Sequence, residues 1–162
     1  MVLLVSSQLT RYKMSQLLQV LPQSNVISTK FGIYESTAWL ISRYNAGYTV
    51  PTVNQTGTSG YVTSPNYPYV YDNLSLLEYY IIAPSTYNAI LLTINDFNLN
   101  LLGSTALLVY QGSIMDDDDY LHNWKGNMPV QNFTIQSNAL TLRFVTDFSS
   151  VRRGFNISWT AI

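Results

Sequence analysis

The sequence predicts an all-β fold, a sandwich of two antiparallel sheets. Three observations lead there. From Gly60 onward, short apolar runs of period two alternate with turn residues, the pattern of strands buried on one face. No long helical periodicity interrupts them. The corner Ser64-Pro65-Asn66-Tyr67-Pro68 excludes a helix where the run begins, because neither proline has an N–H to donate and each biases its predecessor toward extended backbone.

In chain order, residues 1–50 come first, with Leu3-Leu4-Val5, a weak helical pattern over residues 8–20, and short strand patterns at Phe31-Gly32-Ile33-Tyr34 and Trp39-Leu40-Ile41. Blocks of this segment run parallel to later ones. Ser28 to Tyr34 and Gly47 to Val50 align, with small gaps, on Ser137 to Arg143 and Gly154 to Ile157. Two readings follow: residues 1–50 are part of a preceding copy of the same domain, or an N-terminal extension. As half a sandwich, the segment would expose strand edges and self-associate. Residues 51–58 have linker composition, and residues 59–162 form the domain proper. Within it, Tyr61-Val62, Tyr79 to Ile82 before Ala83-Pro84, and Ile90-Leu92-Ile94 up to Phe97 read as strands. Leu107-Val109, Leu140-Leu142-Phe144 and Phe155-Ile157-Trp159 complete the set.

Charged residues make up 10% of the 162 and the net charge is −1, so no basic patch exists to hold a phosphate backbone, and nucleic acid is excluded as a partner. The chain has no cysteine, which removes disulfides, thiolate metal sites and cysteine nucleophiles together. Its apolar start lacks a basic flank and is a poor signal peptide, and no apolar run is long enough for a helical span. The chain is therefore either not exported or a piece of a longer precursor.

The residues give little support to catalysis. Asp116 to Asp119 form the one acidic run but lack the glycine and glutamate of an EF-hand loop, so they read as a solvated loop. His122 is the single histidine; with no Gly-x-Ser-x-Gly elbow and no cysteine, it reads as a surface residue. Sequons at Asn54, Asn73, Asn132 and Asn156 mildly favour an exported glycoprotein. Tyr67 and Tyr79 read as packing residues, whereas Tyr69 and Tyr71 are open between packing and a binding surface.

From Gly57 to Ile162 the sequence resembles the CUB domain, an extracellular jelly-roll-like sandwich. The resemblance rests on Gly60 to Pro68 with Tyr71 and Asn73, on Tyr79, Ile81 and Ala83-Pro84, and on Ile90, Leu92, Ile94 and Phe97. Leu107, Val109, Tyr110, Gly112, Pro129, Ser137-Asn138, Leu140 and Phe144 continue it, and Thr146-Asp147-Phe148-Ser149 and Gly154-Phe155 close it. The family usually carries two disulfides. Here the positions matching its cysteines fall near Val53, on Leu77, on Leu102 or Gly103, and on Lys125. The stability that such cross-links give must come from aromatic packing of Tyr79, Phe97, Phe144, Phe155 and Trp159.

Many members of the family bind calcium at one end of the sandwich and clamp a basic side chain of a partner there. The resemblance places that site on Tyr71, Asn100, Thr105 and Asp147, with one carboxylate where the family has three. Hard, charged oxygens make calcium sites tight. The expectation is therefore a weak or lost site and no cofactor. The resemblance implies a non-catalytic extracellular module for protein interaction or adhesion, with Tyr71, Asp147 and Ser149 on its recognition surface. A structural spacer in a multidomain protein and a carbohydrate-associated module are the alternatives.

Overall fold

The strands with one face buried follow the apolar alternation closely. A computed structural model describes residues 50–113 and 119–162, and the chain divides into two units, residues 1–48 and 49–162. The readings placed on residues 1–49 and on Asp116 to Asp118 lie outside the described residues. Ten strands form among those described: β1 (Thr52–Thr56), β2 (Ser59–Thr63), β3 (Leu76–Ile82), β4 (Ile90–Asn98), β5 (Ala106–Gln111), β6 (Tyr120–Trp124), β7 (Asn127–Met128), β8 (Gln131–Ile135), β9 (Ala139–Val145) and β10 (Gly154–Ala161). One sheet has the order β1-β3-β9-β5-β6; the other runs β2-β10-β4-β7, with β8 also pairing β4. No helix of the described residues is long and apolar enough to cross a membrane.

The pairs are antiparallel with one exception. Thr52 to Thr56, read from sequence as part of a linker, form an edge strand that runs parallel to β3, with Val53 opposite Tyr79. The misreading has a physical cause. An edge strand exposed along nearly its whole length needs no apolar alternation, so only its β-branched residues mark it. Gln55 fastens this edge across the sandwich: its Nε2 donates to the Tyr61 carbonyl (2.6 Å), and its Oε1 accepts from the Trp159 indole.

Between the sheets lies a closed aromatic core. Phe155, fully buried, meets the rings of Phe144 at 5.3 Å, Tyr79 at 6.0 Å and Phe97 at 6.1 Å, at edge or stacked angles that the ring quadrupoles favour. Leu92, Ile94, Leu107, Leu140, Leu142, Ile157 and Trp159 fill the space around them. The five aromatic residues named from sequence are all in this core.

The corner before β3 is built from the Ser-Pro-Asn-Tyr-Pro run. The buried Ser64 Oγ accepts from the Phe155 N–H (3.1 Å), pinning the end of β2 to the start of β10. Asn66 takes a positive φ of 63°, which asparagine tolerates, and its Nδ2 donates to Asp72 (3.2 Å). Tyr67 donates its hydroxyl to Asp96 (2.9 Å), a carboxylate that Arg153 also grips with two nitrogens (2.6 and 2.7 Å).

Candidate functional site

The registers decide which loops meet. Leu76 lies opposite Val145 and Val145 opposite Ala106, while Leu107 faces Trp124; in the other sheet Thr63 faces Asn156 and Gly154 faces Asn98. The connections β2–β3, β4–β5, β6–β7 and β9–β10 therefore all emerge at one end. That end gathers Tyr71, Asn100, Thr105, Asp147 and Ser149, the residues singled out from sequence. Asp119, the described member of the acidic run, sits in the β5–β6 connection at the opposite end.

Asp147 is the centre of the cluster. Its Oδ2 accepts from the Ser104 N–H (2.6 Å). Its Oδ1 accepts from the Ser149 N–H (2.8 Å), from the Thr105 hydroxyl (3.3 Å) and from the Ser149 hydroxyl in a short contact. Asn100, itself buried, passes an Nδ2 proton to Ser149 Oγ (2.7 Å), so donors run in one direction from Asn100 through Ser149 to the carboxylate. Burial alone would raise the Asp147 pKa. The hydrogen bonds from Ser149, Ser104 and Thr105 together outweigh it and hold the carboxyl below its usual range.

Tyr71 supports the cluster from beneath. It is 1% exposed, its ring stands edge-on to Phe144 at 5.3 Å, and its hydroxyl accepts from the Asn100 N–H (3.1 Å). Burial raises its pKa, with the Asn100 bond opposing. Tyr71 thus positions the β4–β5 loop and presents no surface to a partner. Nearby, Thr146 Oγ1 accepts from Ser75 N–H (2.7 Å) and donates to the Asp72 carbonyl (2.8 Å), lacing the β2–β3 and β9–β10 loops together.

Three residues of this end escaped the sequence reading as functional. Gly103 adopts φ +79°, and a Cβ there would fall 2.1 Å from Asp147 Oδ2, so only glycine lets the carboxylate close on Ser104. Lys125 donates from Nζ to the Gly103 carbonyl (2.6 Å). Gly103, one of the two alternatives for a family cysteine position, and Lys125, another such position, are thus joined by a hydrogen bond. Such a bond is worth roughly 1 kcal/mol, against roughly 2–5 for a disulfide. Lys125→Met is accordingly expected to lower stability by no more than about 1 kcal/mol in urea unfolding. Arg152, in the β9–β10 connection, is exposed. A glycine between Leu101-Leu102 and Ser104-Thr105 was the one sequence signal for this geometry.

The other sequence candidates lie elsewhere. His122 is on β6, half-buried, stacked on Trp124 at 5.5 Å and against Phe133 at 5.3 Å. It is a packing residue of an aromatic cluster where the sequence reading had a surface one. Asn54, Asn73 and Asn132 are exposed, whereas Asn156 is half-buried on β10, its Oδ1 accepting from Asn95 (3.3 Å).

The donor set fits calcium poorly. Both carboxylate oxygens of Asp147 already accept protein hydrogens, and Asn100 turns a donor toward the cluster. Among the described residues no group of three His, Asp or Glu side chains converges, and no buried side-chain polar atom lacks a partner. A tight calcium site needs several charged oxygens, and Asp147 is the one carboxylate of this cluster.

A family model for the CUB domain matches residues 52–159. The chain is 33% identical to dog cubilin over 112 residues, which is 65% of this chain and 3% of cubilin. It therefore spans a small fraction of the curated relatives it matches. The full extracellular region of zebrafish Gpr126/Adgrg6 superposes with a TM-score of 0.59 at 26% identity, over 70% of this chain and 15% of that one. The MASP-1 CUB2 domain solved with Ca2+ gives a TM-score of 0.57 at 22% identity, over 67% of this chain and 96% of that one, a likeness of fold.

Proposed function

This chain belongs to the CUB domain family, and we propose that it serves as a non-catalytic extracellular protein-interaction module whose loop end is held without calcium. The observation that carries this reading is the Asp147 carboxylate, which internal donors hold at both oxygens. Four protein donors reach its two oxygens, three of them at Oδ1, and Asn100 and Thr105 supply an amide and a hydroxyl where the resemblance calls for charge. The extracellular setting is supported by the likeness to cubilin and to the extracellular region of Gpr126. In this reading the loops are set by internal hydrogen bonds, so recognition at this end works equally well with calcium removed.

Thermal unfolding of the full chain in 1 mM calcium and in EDTA tests the proposal. A site with Kd near ~10 µM would add roughly 2.7 kcal/mol to the folded state. The expected result is superimposable transitions. A calcium-dependent rise of several degrees, removed by Asp147→Ala, would overturn it.

A further inference from the structure

The charges of the described unit are distributed unevenly. Its four Lys and Arg residues are Lys125, Arg143, Arg152 and Arg153. Arg143 pairs with Glu78 and Arg153 with Asp96. The remaining two have no carboxylate within ion-pair distance among the described residues, and both line one open cleft of about 480 Å³ at the loop end. Asn100, Leu101, Leu102 and Asn127 contribute to its walls, and none of its lining residues is acidic. The carboxylates near this end are engaged elsewhere: Asp147 by its internal donors and Asp72 by Asn66.

We propose that this cleft receives a carboxylate-bearing, partly apolar segment of a protein partner. The Lys125 ammonium gives one hydrogen to the Gly103 carbonyl and keeps two, and the Arg152 guanidinium gives one nitrogen to its neighbour's carbonyl and keeps its remaining donors. Charge-assisted bonds to a carboxylate are the strongest use of these donors. Leu101 and Leu102, 68% and 76% exposed, stand beside them as apolar contact area. A cleft of this size accommodates a few side chains. A basic ligand would meet two like charges with no compensating carboxylate, so the polarity is the reverse of a site that clamps a cationic side chain. The inference rests on the proposal that this loop end is a calcium-free recognition surface.

The test is amide NMR of the full chain in EDTA, titrated with three blocked tetrapeptides in which leucine alternates with glutamate, glutamine or lysine. Saturable shifts at Leu101, Leu102, Gly126 and Arg152 with the glutamate peptide alone are expected. The double variant Lys125→Gln/Arg152→Gln, its other resonances unmoved, should weaken that binding about ten-fold or more. Equal responses to glutamate and glutamine, a stronger response to lysine, or no saturable shift would overturn the proposal. So would shifts produced only by vesicles of phosphatidylserine and phosphatidylcholine (3:7), which would make the cleft a membrane contact. Calcium is added last. Movement of the Ser104 and Ser149 amides would refute the calcium-free reading, whereas unmoved amides after a failed peptide titration would refute this inference alone.

Discussion

Gly154→Ala is expected to destabilise the domain by about 3 kcal/mol, the sum of overpacking and left-handed backbone strain. Gly154 has φ +91°, and a Cβ built there lies 1.7 Å from Ser64 Oγ and 2.7 Å from Ser64 Cβ. Neither atom can give way cheaply. Ser64 is buried, its hydroxyl accepts from the Phe155 N–H, and its own N–H donates to the Phe155 carbonyl (3.1 Å each). Displacing it breaks the junction of β2 and β10 and disturbs Tyr71, whose Cδ1 is the next atom at 3.7 Å. For a unit of this size each kcal/mol lowers Tm by roughly 4 °C, so a fall of about 10 °C is expected. Gly57→Ala is the control: φ is +131°, yet nothing lies within 4 Å of the added methyl, so only the backbone strain remains. Equal losses in the two variants would mean that the Ser64 contact relaxes without cost.

This junction also shows what could be read in advance. Ser64-Pro65 and Gly154-Phe155 stood out in sequence as separate fragments of one resemblance, and the register of β2 on β10 makes them one contact. Strands with one face fully buried, such as β4, β9 and β10, were legible because burial enforces period two. β1, β6 and β8 were not. β1 and β6 are mostly exposed along their length and β8 is buried only at Ile135, so pairing and not burial determines them. In the candidate site the same division holds. Tyr71, Asn100, Thr105, Asp147 and Ser149 were identifiable through the resemblance, but the roles of their atoms were not. That Asn100 donates to Ser149, or that Tyr71 lies wholly under the loops, depends on which backbone N–H groups the loops turn inward. The importance of Gly103 appears only once the Asp147 carboxylate is seen against it. Lys125 and Arg152 are far apart in sequence and belong to different connections, β6–β7 and β9–β10, so no local pattern joins them.

Asp147→Asn is expected to cost about 2 kcal/mol at neutral pH, through loss of charge-assisted hydrogen bonds and one forced donor–donor contact. The shape is conserved, but whichever way the amide is placed, its nitrogen must face either the Ser104 N–H or the donors at Oδ1. The pH dependence separates charge from shape. Because the folded carboxyl sits below its ordinary value, its ionised form stabilises the fold at every pH above the unfolded value near ~4. That contribution is lost as pH falls through the lower, folded-state value. Asp96, also lowered, chiefly by its hydrogen bond with Arg153, titrates in wild type and variant alike and cancels from their difference. The stability gap between wild type and Asp147→Asn, followed by urea unfolding, should be constant above about pH 5 and narrow steadily toward pH 2. A gap unchanged across that range would mean that the ionised carboxylate contributes nothing to the loop end. The four donors around it would then be holding a shape that any planar acceptor could fill.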